Sequence, residues 1–246
     1  MPTALIVEDE PEANKLLAML VQLRGYQTES ALDGAQAIDH VRNHVPDVDG
    51  YDICRSLKSS GETRGIPVII VTARVTAENR MESFRAGADD FIPKPYMPDQ
   101  VFEALERARK TNAEIEGSCV NGEAMLDSRD EGETLRSLSR LRKAVVLRSG
   151  LEPGTIEELT RALRAIWANA VEWGNRRRLA RVASLEYSLT DECLTLTVRD
   201  EDAWLEGRRQ LEGGVLAGLA SAALFDEIVD DSSARKILLV KRFRPR

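Results

Sequence analysis

Reactive side chains stand where apolar runs end. Ala4-Leu5-Ile6-Val7 stops at Glu8, Asp9 and Glu10, and adjacent carboxylates at a strand end suit a hard cation. The apolar run Ile66 to Ala73 carries Thr72, a hydroxyl donor, near its end. Asp90-Phe91-Ile92-Pro93 leads into Lys94-Pro95, where a lysine offers the point charge that neutralises phosphate. Other metal chemistry is poorly served. Cys54, Cys119 and Cys193 are far apart and odd in number, no CxxC occurs, and His40 and His44 are the only histidines. A zinc site or disulfide framework is not expected, and a reducing cytoplasm is.

Placing these groups requires strands and helices in alternation. The continuous apolar runs suit strands buried on both faces of a parallel sheet. Pro11 suits the first turn of a helix, Leu16, Leu17, Leu20 and Leu23 give it an apolar stripe, and Gly25 ends it. A third short strand precedes Lys94. The pattern predicts a doubly wound α/β domain with its site at the carboxyl ends of the strands.

Four segments, "LIVEDEP", "DGYDICRSLK", "IPVIIVTA" and "AGADDFIPKP", together resemble the receiver domain of two-component response regulators, over about residues 1–112. That resemblance implies Mg²⁺-dependent transfer of a phosphoryl group to an aspartate. It places Glu8 and Asp9 as metal ligands, Thr72 as hydroxyl donor and Lys94 as phosphate partner. It also implies a cis bond before Pro95 and puts Phe91 at the aromatic switch position.

One part of the pattern is missing. The family has an apolar strand and its phosphoacceptor before "DGY", but here a helix over 35–44 runs through Val45-Pro46-Asp47-Val48 straight into Asp49-Gly50. Roughly ten residues are absent, about one strand and its flanks. Asp47, Asp49 and Asp52 lie nearby, but none ends a strand opposite Glu8, Asp9, Thr72 and Lys94. The expectation is that the first strand pairs directly with the Ile66–Ala73 strand. Two explanations stand: a genuine deletion, or residues of the natural protein missing from the chain.

Residues 113–134 are acidic and glycine-bearing and suggest a linker. A helix is expected over Leu135–Leu147, with Leu138, Leu141 and Val145 inward. Gly150 to Gly154 suggests a loop, and Thr155 with Glu158 a capping box. Ile156, Leu159, Leu163, Ile166, Trp167 and Ala170 recur at helical spacing, with Asn169 at the edge of that face. A hairpin around Asp191-Glu192, a small-residue helix over Val215–Phe225 and a last strand "KILLVKRF" follow.

"NA..WGN", "VRDE", "EGG" and the terminal "LVKRF" resemble the GHKL ATPase fold, an α/β sandwich, and most of all the anti-sigma-factor serine kinases. The second domain is therefore set at 135–246. The resemblance implies Asn169 as Mg²⁺ ligand, Asp200 as the adenine contact, and Gly213 and Gly214 as a loop near the phosphates. ATP and Mg²⁺ are the cofactors it implies. Departures cut against turnover. Ala165 stands where the kinases carry their glutamate base, "DEDAW" replaces the glycines expected after Asp200, and the lid before Gly213 is short. An alanine cannot activate a hydroxyl.

Hydrophobic residues make up 43% and charged residues 30% of the 246, with net charge −7 and pI about 5.1. This is a globular composition that argues against general nucleic-acid binding despite the Arg176, Arg177, Arg178 and Arg181 cluster. No leader or membrane span is read. The expectation is a cytoplasmic two-component, phosphorelay-type regulator acting by protein contact with degenerate sites. Partners would be of sigma-factor, anti-anti-sigma or kinase type, met through the face near Phe91–Ala108, with a homodimer through the receiver also open. The alternative is an active ATP-dependent serine kinase controlled by receiver phosphorylation.

Overall fold

The computed structural model describes residues 1–34, 36–37, 50–59, 63–73, 76–115, 119–127, 129–179, 181–200, 224–231 and 233–244. The chain divides into two compact units, Met1–Asn112 and Ala113–Arg246.

The first unit alternates strand and helix. β1 (Thr3–Val7) leads to α1 (Pro11–Gln22) and β2 (Gln27–Ala31). Then come α2 (Gly50–Ser59), β3 (Ile69–Thr72), α3 (Ala77–Ala86), β4 (Asp90–Pro93) and α4 (Pro98–Ile115). The sheet is in two pieces. β1 pairs in parallel with β2, and β3 in parallel with β4.

The strand alternation decides which helix each residue meets. Ala4 and Ile6 of β1, Ile69 and Val71 of β3 and Ile92 of β4 gather under Leu17, Leu20 and Val21 of α1 and Val101 and Ala104 of α4. On the opposite face α2 straddles the split. Its Ile53 and Leu57 pack with Leu5 and Ala31, while its Tyr51 and Cys54 pack with Val68, Ile70 and Ala88. Helices thus cover both faces, as the doubly wound reading requires.

Two expectations are corrected. β1 and β3 do not pair with each other. Each is fixed to its own neighbour by a parallel ladder, and α2 holds the two ladders by different sides of its surface. The stripe of α1 is also rotated. Asn14, Leu17, Leu20 and Val21 face inward, whereas Leu16 and Leu23 are exposed. Buried Asn14 takes an inward position because its amide donates to the carbonyls of Ile6, Glu8 and Ala31 at 3.0–3.3 Å, binding the ends of β1 and β2 together.

The second unit is one antiparallel sheet with helices against it. Its strands are β5 (Val120–Asp127), β6 (Arg181–Leu189), β7 (Cys193–Asp200), β8 (Glu227–Asp231) and β9 (Lys236–Arg242), in the order β5-β6-β7-β9-β8. α5 (Glu131–Arg148) and α6 (Pro153–Arg177) lie between β5 and β6 in the chain. Register aligns Ala124, Leu185, Val198 and Ile237 across four strands, and all are buried. Leu138, Leu141 and Val145 of α5 are buried, as are Ile156, Leu159, Leu163, Ile166, Trp167 and Ala170 of α6.

Here too the sequence reading is corrected. Residues 113–134 are not a simple linker. They hold the end of α4, the strand β5, and Asp130, whose carboxylate accepts the Glu133 N–H and starts α5 four residues before the expected Leu135. Glycines hid the strand. A Cβ on Gly122 would lie 2.2 Å from the Tyr187 hydroxyl oxygen, so glycine is what lets that buried ring cross the strand. α6 begins at Pro153, after Glu152, so Thr155 is already helical and no capping box forms. Proline at the first position, where an N–H has no helical acceptor, explains the earlier start. β8 was not anticipated. Most of the expected helix over 35–44 and of Val215–Phe225 lies outside the described residues.

Candidate functional site

The first site stands at the carboxyl ends of β1, β3 and β4. Glu8 follows β1, and its carbonyl is held by Asn14. Lys94 follows β4, its N–H donating to the Thr72 carbonyl at 2.7 Å, and its bond to Pro95 is cis. The two side chains meet. Lys94 Nζ lies 2.8 and 2.7 Å from Glu8 Oε1 and Oε2. The Glu8 side chain is 8% exposed and that of Lys94 32%.

Glu8, Thr72 and Lys94 are thus brought to one end of the sheet. Asp9 is exposed beside Glu8. Tyr96, which the sequence reading did not single out, packs in the same core. Burial holds its phenol above the usual value, with Lys94 pulling it down and Glu8 pushing it up. Asn14 was also missed. An asparagine at an expected apolar helix position was the signal available. Phe91 is half-buried, with the Arg80 guanidinium 5.6 Å from its ring centre.

The other acids of the motifs have structural work. Asp52 is exposed and pairs with Arg55, which also holds Glu82 of α3. Asp52, first, and Glu82 raise the arginine's pKa. Asp89 accepts from Lys58 Nζ at 2.6 Å and from the Val68 N–H at 2.8 Å, tying α2 to the start of β3, and this pair is buried. Asp90 accepts from Arg107 Nε at 2.8 Å, tying β4 to α4. Asp47 and Asp49 lie outside the described residues.

The donor set can be tested against the Mg²⁺ ion that receivers typically bind at their phosphorylation site. A divalent hard cation takes about six oxygens and draws on carboxylates. Among the described residues no three acids, histidines or cysteines gather to hold a metal. Of the two candidate carboxylates, Glu8 is already neutralised by an ammonium. Mg²⁺ needs only one or two carboxylates and keeps waters for the rest of its shell, so Glu8 and Asp9 could hold it once Glu8 is released from Lys94.

The second candidate site is less complete. Asn169 is half-buried on α6, its amide donating to the Ala165 carbonyl at 2.7 Å, and Ala165 is exposed. Asp200 ends β7. Its side chain lies outside the described residues, as do Gly213 and Gly214. The arginine cluster has local roles. Arg176 pairs with Glu172, Arg177 lies 4.6 Å from the Trp173 ring centre, and Arg178 closes α6 at φ 59°.

Comparison with known proteins bears on the first unit. Residues 4–106 match the response regulator receiver domain. The receiver is similar to a solved receiver domain of a signal transduction histidine kinase from Syntrophus aciditrophicus, at 32% identity and TM-score 0.41, covering 45% of this chain and 91% of that one. Response regulator MprA of Mycobacterium sp. (strain KMS) is 27% identical over 181 residues, 66% of this chain and 78% of its own. The probable transcriptional regulatory protein TcrX of Mycobacterium tuberculosis is 30% identical over 149 residues, 55% of this chain and 62% of its own.

Among the described residues no helix is long and apolar enough to cross a membrane.

Proposed function

We propose that this protein is a cytoplasmic regulator of two-component type whose receiver works by protein contact, without accepting a phosphoryl group. One observation carries the reading. Lys94, the lysine that would neutralise a phosphoryl group, has both oxygens of Glu8 within 2.8 Å. A phosphoryl group or a cation entering here must first separate a partly buried ion pair, and the described residues offer no acceptor carboxylate beside it. A contact surface needs neither. The face formed by β4 and α4, with Phe91 under Arg80, is available for a signalling partner of sigma-factor, anti-anti-sigma or kinase type.

For the second unit we infer a GHKL-type sandwich that has kept a fold and lost turnover. The buried apolar face of α6 against the sheet supports this, with Asn169 at its border and Ala165 one turn earlier. Asn169 can offer an oxygen to a metal and Asp200 an acceptor to an adenine amino group. Neither activates a serine hydroxyl, a general-base role worth about 10²–10⁴-fold in rate. The test is ATP titration with and without Mg²⁺, then turnover, on the native chain and on Ala165→Glu. Weak or no binding and no turnover in either chain is expected. Robust turnover by the native chain would replace this reading with that of a serine kinase.

A further inference from the structure

We propose that the inner edges of β1 and β3 form an acceptor slot for one extended, uncharged, apolar segment of a partner protein, laid parallel between them. The inference rests on the contact-only reading of the receiver and names the form the contact takes.

Each strand spends one edge on a neighbour, β1 on β2 and β3 on β4. Among the described residues, Thr3–Val7 and Ile69–Val71 have no ladder partner on the other edge. Backbone N–H and C=O groups in such a place require partners, and an open edge is a template for one more strand. In the doubly wound order 2-1-3-4-5, the observed strands fill the first two and last two places. The middle place is the slot.

Its walls specify the occupant. Glu8 after β1 and Lys94 after β4 meet, so the carboxyl ends of both half-sheets point the same way. A strand completing both ladders runs parallel to each. One face of that strand would look toward Leu5 and Ile70 under α2, the other toward Ile6, Ile69 and Val71 over α1 and α4. Both faces are apolar, so the segment is a continuous apolar run rather than an alternating one. β1 has five residues and β3 four, which sets its length. At the carboxyl end it meets the Lys94–Glu8 pair, already neutralised within itself, so it carries no charge there. Incompletely covered walls agree with this. Val7 is 39% exposed, and all four residues of β3 are only half-buried. Strand addition of this kind draws affinity from main-chain hydrogen bonds and specificity from the side chains between them.

The test uses the full chain and a synthetic peptide of about ten residues, with about five valines and isoleucines in its centre and lysines at its ends. A control peptide carries serine at every second central position. The readout is amide hydrogen exchange resolved by residue. The apolar peptide should slow alternate amides of Thr3–Val7 and Ile69–Val71 by at least about tenfold, leaving β6 and β7 unchanged. The control should not. No protection, or equal protection by both peptides, overturns the slot. Protection that rises with protein concentration and no peptide overturns the partner assignment and makes a second copy the donor. None of these outcomes alters whether the receiver accepts phosphate, so the slot and the contact-only reading fail separately.

Discussion

The two sheets solve one problem with opposite success. In the second unit five strands pair in an unbroken antiparallel order, and alternate residues of β6, β7 and β9 are fully covered. Among the described residues of the receiver four strands make two parallel pairs, and β3 has no residue that is fully buried. In the second unit β6–β7 and β8–β9 are neighbours in sequence and pair as antiparallel hairpins, while β5–β6 and β7–β9 pair across longer connections. A parallel sheet depends on a strand brought in from elsewhere in the sequence, and among the described residues no strand joins the β1–β2 and β3–β4 ladders. The receiver holds together through side chains that bridge the split: Glu8 with Lys94, α2 across both ladders, and Lys58 with Asp89.

If that contrast is right, the receiver should be sensitive to its bridges and the second unit to its packing. The largest effect should come from Asp89→Ala. It leaves the buried Lys58 ammonium without its carboxylate, and breaking such a pair costs about 3–5 kcal/mol. Denaturant unfolding should show the receiver transition shifted by that amount and the second unit's transition unmoved. A shift in both would mean that the units do not unfold separately.

Gly122→Ala should come next, and only in the second unit. The added methyl meets the buried Tyr187 ring, and overpacking of this kind costs about 1–3 kcal/mol. A neutral result would show that the ring can swing away.

Lys94→Gln keeps a hydrogen-bond donor but leaves the Glu8 carboxylate without a cation. Lys94 is about a third exposed, so solvent screens much of the loss, and about 1 kcal/mol of receiver stability is expected from a charged hydrogen bond weakened to a neutral one. A larger loss, equal to that of Asp89→Ala, would make this pair the main bridge.

The smallest effect concerns the edge of the second sheet. The Arg242 N–H, first, and then Lys241 hold the Asp226 carboxyl below its ordinary 3.8. A carboxyl depressed in the folded state adds stability that is complete above its unfolded value and is lost as pH falls through the folded one. Acid titration should therefore weaken the second unit below about pH 4, and Asp226→Asn should remove the Asp226 share of that dependence, leaving the share of Asp231, which Ser233 and the Ala234 N–H also hold low. The group is well exposed, so the effect is a fraction of those above.

How much of this was legible in the sequence follows the same division. Continuous apolar runs announced β1 and β3, and helical spacing announced α6 with six of its buried residues. Glu8 and Lys94 stood out because the segments that carry them resemble the receiver pattern. What stayed hidden depended on tertiary partners. Gly122 looked like a linker residue because nothing local shows that a tyrosine must cross it. Asn14 looked like a break in a leucine stripe because the three carbonyls it serves lie on two other elements. The shortness of the pattern before Asp49 was legible, but how the described strands pair was not. Direct pairing of the neighbours was the simplest repair, and the separate packing of each ladder against α2 prevents it.

The central claim is that the receiver has no working phosphoacceptor, and one measurement addresses it directly. The full chain is incubated with acetyl phosphate and Mg²⁺ and its intact mass is followed, with peptide mapping of any product. The account predicts an unchanged mass at every time point. A chain that gains one phosphoryl group, mapped to Asp47, Asp49 or Asp52, would contradict it and show that an aspartate reaches Thr72 and displaces Lys94 from Glu8.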